Sequence, residues 1–190
     1  MRILRDGGLV AFPTETVYGL GADCDNAEAV AKIFAVKGRP AGRPLTIHIG
    51  PSADPASWCH WTAAAQVLAD RFWPGPLTLV LPKRGVADIV TGGLPTVGLR
   101  APDHPLAIQL LEAFGGGLAA PSANRSGYPS PTLASQVRDE LGDGVDLILD
   151  GGPTTIGVAS TVLSLVDEPR ILRLGTLTQE VLAPWIPGIR

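Results

Sequence analysis

Short apolar runs alternate along the chain with segments in which apolar residues recur every three or four positions. The runs Leu9–Phe12, Leu45–Ile49, Leu77–Leu81, Thr96–Leu99, Gly117–Ala120, Val145–Leu149, Thr161–Val166 and Ile171–Leu174 predict eight strands. Between them lie helical patterns with recognisable starts. Asn26 is placed to cap a helix carrying Val30, Ile33, Phe34 and Lys37, and Thr62 to cap one that runs to about Phe72. Pro105 takes the first helical position before Leu106–Phe114, where its fixed φ favours a start. Thr132 is placed to cap Leu133–Leu141. At the N-terminus, Met1–Asp6 followed by Gly7 and Gly8 has the pattern of a last helical turn, short enough to be the end of a longer helix.

Strands alternating with helices predict an α/β fold with a twisted, mostly mixed sheet and flanking helices. The 23 glycines and 18 prolines are spread over turns rather than gathered into a linker. No composition break divides the 190 residues, so 1–190 is expected to form one domain.

Composition narrows the chemistry. The two cysteines, Cys24 and Cys59, form no CxxC pair, which argues against structural zinc or a disulfide framework and for a reducing cytoplasm. Three isolated histidines, His48, His60 and His104, lack metal-ligand spacing, so no metal site is expected. No apolar run reaches the length of a membrane span, and no membrane association is expected. A net charge of −3 gives no general attraction for nucleic acid. Twelve arginines against three lysines is a bias that suits bidentate recognition of carboxylate and phosphate, although codon bias produces the same count.

The common nucleotide signatures are absent: there is no GxxxxGK[ST], and Gly19-Leu20-Gly21-Ala22-Asp23-Cys24 lacks the last glycine of GxGxxG. Five other segments carry polar and charged groups, four of them at predicted strand ends and one at a helix end. Pro13-Thr14-Glu15-Thr16-Val17-Tyr18 places hydroxyls, a carboxylate and a phenol where an open α/β sheet forms a ligand crevice. Lys37-Gly38-Arg39-Pro40, with Arg43 beyond it, is also explained as a helix C-terminus with cations on the dipole, glycine at C′ and a proline stop. Pro121-Ser122-Ala123-Asn124 follows a strand, Asp150-Gly151-Gly152-Pro153 follows another and is succeeded by Gly157-Val158-Ala159-Ser160-Thr161, and Arg100 and Arg173 stand at strand ends. Cations and hydroxyls repeated at strand ends predict one anion-binding face.

In this order the segments resemble the YrdC/TsaC family of threonylcarbamoyl-AMP synthases. The resemblance rests on Pro13–Thr16, Lys37 with Arg39, Ser122 with Asn124, Gly157–Thr161 and Arg173-Leu174-Gly175, and on Trp73–Thr78 between them. It extends from Gly7 to about Leu182. It implies a YrdC-like sheet with a concave open ligand-binding face. It also implies a reaction in which threonine, bicarbonate and ATP give threonylcarbamoyl-AMP and pyrophosphate. A downstream threonylcarbamoyl transferase complex would then modify the tRNA adenosine beside the anticodon. By the same resemblance Thr16, His48, Arg100, Ala120 and Ser160 would contact threonine. Arg39, Arg43, Thr96, Ser122, Asn124, Ser130 and Arg173 would contact ATP. Lys37 and Arg39 would stabilise charge in catalysis, with no general base assigned. Mg²⁺ enters as the ATP counter-ion, held by phosphates and water rather than by a carboxylate cage.

Arg43 departs from the asparagine frequent in relatives, and by the same resemblance the chain is expected to be of the short, single-domain type. Two other readings share the fold. One is a non-catalytic module binding double-stranded RNA or tRNA, disfavoured by the acidic net charge and only 5% aromatic residues, although a weak tRNA contact fits either reading. The other is the related domain of carbamoyltransferases that mature hydrogenases, which sits in much longer chains.

Overall fold

A computed structural model describes all residues, 1–190. The sheet has nine strands in the order β7-β1-β2-β6-β3-β5-β4-β8-β9. These are β1 (Val10–Phe12), β2 (Gly19–Asp23), β3 (Thr46–His48), β4 (Leu77–Pro82), β5 (Thr96–Arg100), β6 (Leu118–Ala119), β7 (Leu147–Ile148), β8 (Thr161–Ser164) and β9 (Arg170–Arg173). The pairs β1·β7, β3·β5 and β4·β8 are parallel and the rest antiparallel, so the sheet is mixed, as the sequence predicts. The two-residue strand β6 lies between β2 and β3, which do not pair with each other.

All eight predicted strands form, within a few residues of their expected limits. The ninth, β2, is the Gly19–Asp23 segment whose glycines resemble a broken nucleotide motif. Its glycines answer to packing instead. A Cβ on Gly21 would lie 2.9 Å from the Phe12 ring and one on Gly19 3.3 Å from it, so β2 leaves room for the side chain of its antiparallel neighbour. Glycine is depleted in strands, which hides β2 from pattern reading.

The helices are α1 (Arg2–Arg5), α2 (Ala27–Lys37), α3 (Ala63–Phe72), α4 (Asp88–Thr91), α5 (Pro105–Phe114), α6 (Ala134–Leu141) and α7 (Gln179–Leu182). Asn26 and Thr62 cap α2 and α3 through Ala29 N and Ala65 N, as expected. The expected Thr132 cap does not form. Leu133 is the N-cap of α6, and Gln136 reaches back so that its Oε1 accepts from Thr132 N and Leu133 N. The longer amide side chain supplies what the hydroxyl would have supplied.

Successive residues of β1 point to opposite faces of the sheet. Val10 and Phe12 pack with Leu4, Leu110, Leu111 and Leu118 beneath α1 and α5, while Leu9 and Ala11 belong to the larger core with Val30, Ile33 and Val137 of α2 and α6. The sheet is thus buried on both faces, and polar groups at several of its strand ends line one opening.

Candidate functional site

That opening is a cavity of about 110 Å³ walled by strand ends and the loops that leave them. It is smaller than the roughly 300–1,000 Å³ of sites for drug-sized ligands. Its wall includes Thr14 and Tyr18 after β1, Thr46 and His48 on β3, Thr78 on β4, Arg100 on β5, Ala120 and Ser122 after β6, and Ser160 before β8. Ser130 and Arg173 also belong to it. No carboxylate forms part of the wall, and two guanidinium groups do.

Arg100 is 4% exposed. Its Nη2 donates to Glu15 Oε1 at 2.7 Å and to Thr16 Oγ1 at 2.9 Å, and its Nε to Gly75 O at 3.2 Å. Glu15, itself buried, also accepts from Asp103 N through Oε2. A buried charge needs such compensation, because removing one partner strands the other in a low dielectric. Burial lowers the pKa of Arg100, and Glu15 opposes that shift.

Arg173 has no carboxylate partner. Its Nη2 donates to Ser160 O at 2.8 Å and to Ser160 Oγ at 3.1 Å, and Ser160 Oγ is 2.9 Å from Thr78 Oγ1. Gly175 permits this arrangement, since a Cβ there would lie 2.3 Å from Ala159 O. The segment bearing Arg173 is thereby pressed against the one bearing Ser160.

His48 is buried with its Nδ1 unpaired, its ring edge-on to Phe12. Burial, helped by the Arg100 charge, pushes its pKa down to about 3, so the imidazole is neutral and one buried nitrogen lacks a partner. Burial and Asp150 raise Tyr18, whose hydroxyl donates to Gly152 O and accepts from Gly151 N.

Seven of the residues singled out in the sequence line the cavity: His48, Arg100, Ala120, Ser122, Ser130, Ser160 and Arg173. Thr16 stands behind Arg100 rather than on the wall. Lys37 and Asn124 lie beneath Ser122. Lys37 Nζ donates to Ser122 O at 2.6 Å and also to Asn124 O, while Asn124 Nδ2 donates to Arg125 O and Tyr128 O. The helix-end reading of this tetrapeptide also holds: Gly38 is left-handed at φ 57°, and the amides of Gly38 and Arg39 close the last turn. Burial first, then Arg39, pushes the Lys37 pKa down to about 8.

Arg39, Arg43 and Thr96 are not on the cavity wall. Arg39 is half-buried, with Nη2 on Pro44 O and Nε unpaired, and Arg43 is exposed. Thr96 opens the strand that Arg100 closes, about 13 Å away at the usual rise per residue. These three lie off the cavity wall, on β5 and the loop after α2.

Thr14, Glu15, Tyr18, Thr46 and Thr78 were missed as individual site residues. The first three lie in the strand-end segment that the sequence does mark. Thr78 follows Trp73-Pro74-Gly75-Pro76, and its partner Ser160 is 82 residues away, so no local pattern reveals the pair. The acidic group Asp23, Cys24 and Asp25 comes together at the end of β2, but burial and Asp25 raise the Cys24 pKa to about 12, so the thiol keeps its proton.

Comparison with known proteins gives consistent results. Residues 2–175 match the Sua5/YciO/YrdC family, which carries the description Telomere recombination. Threonylcarbamoyl-AMP synthase of Bacillus subtilis is 51% identical over 194 residues, spanning 98% of this chain and 55% of the relative. That of Pyrococcus abyssi is 50% identical over 190 residues, spanning 98% and 56%. The crystal structure of P. abyssi Sua5 complexed with L-threonine superposes with a TM-score of 0.96 at 49% identity, covering 100% of this chain and 56% of that one. The chain therefore spans about half the length of these relatives.

Proposed function

The chain belongs to the Sua5/YciO/YrdC family, and from that premise we propose that it is a threonylcarbamoyl-AMP synthase. Its substrates would be L-threonine, bicarbonate and ATP. The observation that carries the reading is the small carboxylate-free cavity, where Arg100 and Arg173 meet a neutral His48 with an unpaired Nδ1 and a ring of hydroxyls. Such a site suits one small zwitterion bearing a carboxylate. The L-threonine in the P. abyssi relative supports that choice.

Threonine's amine would add to bicarbonate-derived CO2, losing a proton to solvent and forming a carbamate. A carbamate oxygen would attack the α-phosphorus of ATP as the bond to the β-phosphate oxygen breaks and pyrophosphate leaves. Carboxylate, carbamate and triphosphate are all anions, so positioning and charge compensation are the main tasks. Arg100 and Arg173 would meet the amino-acid end. Ser122, Ser130 and Arg173 would meet the nucleotide where it enters the cavity, and Arg39, Arg43 and Thr96 its outer part. Lys37 would act by holding the Ser122 carbonyl, with Asn124 supporting the loop beyond it. The ammonium gives two of its three hydrogens to those carbonyls, which ties it to the loop.

The cavity wall offers Mg²⁺ no carboxylate, and both oxygens of Glu15 are engaged. We assign no protein ligand to it; as a counter-ion it would ride on phosphate oxygens and water. The product would pass to a threonylcarbamoyl transferase complex acting on tRNA, in the cytoplasm, with any tRNA contact on this chain a weak one. No helix here is long and apolar enough to cross a membrane.

The test is pyrophosphate release from ATP with threonine and bicarbonate omitted in turn. Release should require both. Equal release without either would leave a generic ATPase, and no release at all would favour a binding module.

A further inference from the structure

Counting hydrogens around Arg100 exposes a role for a residue that the proposed reaction does not use. A hydroxyl has one hydrogen to give and a guanidinium five. Thr14 Oγ1 donates its hydrogen to Val17 O at 2.6 Å, and the adjacent amides of Thr16 and Val17, at the longer distances of 3.2 and 3.1 Å, share one of its two lone pairs and leave the other open. Thr14 Oγ1 and Thr16 Oγ1 are 2.9 Å apart. Since the Thr14 hydrogen is committed to the carbonyl, the hydrogen between the two hydroxyls belongs to Thr16. Thr16 Oγ1 in turn accepts from Arg100 Nη2. The chain therefore runs one way, from Arg100 to Thr16 to Thr14 to the Val17 carbonyl.

The consequence reaches the cavity. Both hydrogens of Arg100 Nη2 are taken, one by Glu15 and one by Thr16, and the Nε hydrogen is taken by Gly75 O. Only the two hydrogens on Nη1 remain for a ligand. Arg100 is thus held along one whole edge and presents its other end. Thr14, although it lies on the cavity wall, has its oxygen fully occupied and offers the ligand no hydrogen.

We propose that Thr14 is a positioning residue for Arg100. Through Thr16 it fixes the direction of a hydrogen-bond chain that commits one edge of the guanidinium and leaves Nη1 alone to bind the amino-acid carboxylate. Without the Thr14 oxygen, the Thr16 hydroxyl is free to turn its hydrogen towards Arg100, and the guanidinium loses a defined acceptor.

The kinetic readout rests on the reaction proposed above. Thr14→Val keeps the volume and removes the oxygen. Thr16→Val cuts the same chain one link nearer while leaving the Thr14 turn intact, so it tests the idea even where Thr14→Val does not fold. Each should raise the KM for threonine about 10- to 100-fold, the usual range for losing one hydrogen bond to a charged group. The kcat and the KM for ATP should stay within about threefold of the parent, as expected when ground-state binding of one substrate is weakened. Thr14→Ser should restore most of the loss, and the double Val variant should be no worse than the weaker single one, because both cut one chain. Parental threonine KM in Thr16→Val, or equal rises for threonine and ATP, would overturn the proposal. A parent that releases no pyrophosphate indicts the reaction instead. Threonine affinity by calorimetry then reads the same variants on the same terms, and a parent that binds no threonine overturns both.

Discussion

Glu15→Gln isolates the charge on a side chain that touches the cavity only through Arg100. The substitution keeps the shape and leaves one oxygen to accept from Arg100 Nη2. It replaces the other oxygen, which accepts from Asp103 N, by an amide that can only donate, so two donors face each other. The pair is separated by 2.7 Å, with Arg100 4% and Glu15 6% exposed, so bulk water does little to screen it. At an effective dielectric of 20, Coulomb's law gives about 6 kcal/mol for that separation, part of which is cancelled because a buried carboxylate no longer has to be desolvated. Removing one member of a buried pair costs about 3–5 kcal/mol in practice. For a chain of this size that corresponds to a fall of about 6–20 °C in melting temperature. Thermal unfolding followed by circular dichroism measures it, and pyrophosphate release at a temperature where the variant remains folded tests Arg100 separately. A variant melting within 2 °C of the parent would show that the Arg100 charge is compensated from elsewhere.

The other expectations concern the remaining cations and the histidine. Arg39→Ala should melt within a few degrees of the parent yet lose about 10²–10³ in adylate formation if its half-buried guanidinium holds phosphate, and full activity would return it to the helix end. Lys32→Ala should keep its rate but lose about 1 kcal/mol of stability, because Lys32 Nζ donates to Gly7 O at 2.7 Å behind α1; denaturant titration measures the difference. Lys37, near 8 in the fold against 10.5 in the open chain, binds fewer protons folded than unfolded between those values. Stability should therefore rise through that window by about 1.4 kcal/mol per pH unit, a slope that Lys37→Met should abolish. His48 is pushed down to about 3 from 6.5, so its contribution is intact above pH 6.5 and erodes by about 1.4 kcal/mol per unit as pH falls towards 3. His48→Gln should flatten that part of a pH-stability curve.

The strands were legible because six of the eight apolar runs carry fully buried residues, and burial leaves a direct mark on composition. β2 escaped because its glycines serve the Phe12 ring, a relation across strands that no window along the chain contains. The site divides in the same way. Arg100, Arg173, Ser122 and Ser160 stand at strand ends where order along the sequence marks them. What the order does not contain is which groups face inward. Lys37 and Arg39 are two residues apart, yet one ammonium bonds two loop carbonyls while the other cation has an unpaired Nε. Thr14 and Thr16 belong to one tetrapeptide, and only the direction of their hydrogens separates their roles.

The two-residue strand β6 sets an order of events during synthesis. β2 and β3 emerge from the ribosome early, but neither finds its partner in the other; Leu118 and Ala119 must slot between them. About 70 residues separate β3 from β6, which at about 5–20 residues per second is about 4–14 s of translation. Throughout that interval both facing edges lie open, each with unpaired amides and carbonyls of the kind that templates aggregation. The nascent chain's window of exposure is thus fixed by the position of one short strand. Slowing translation between residues 48 and 118 would lengthen it, whereas a pause after residue 120 has cleared the ribosomal tunnel would let the sheet close across its centre.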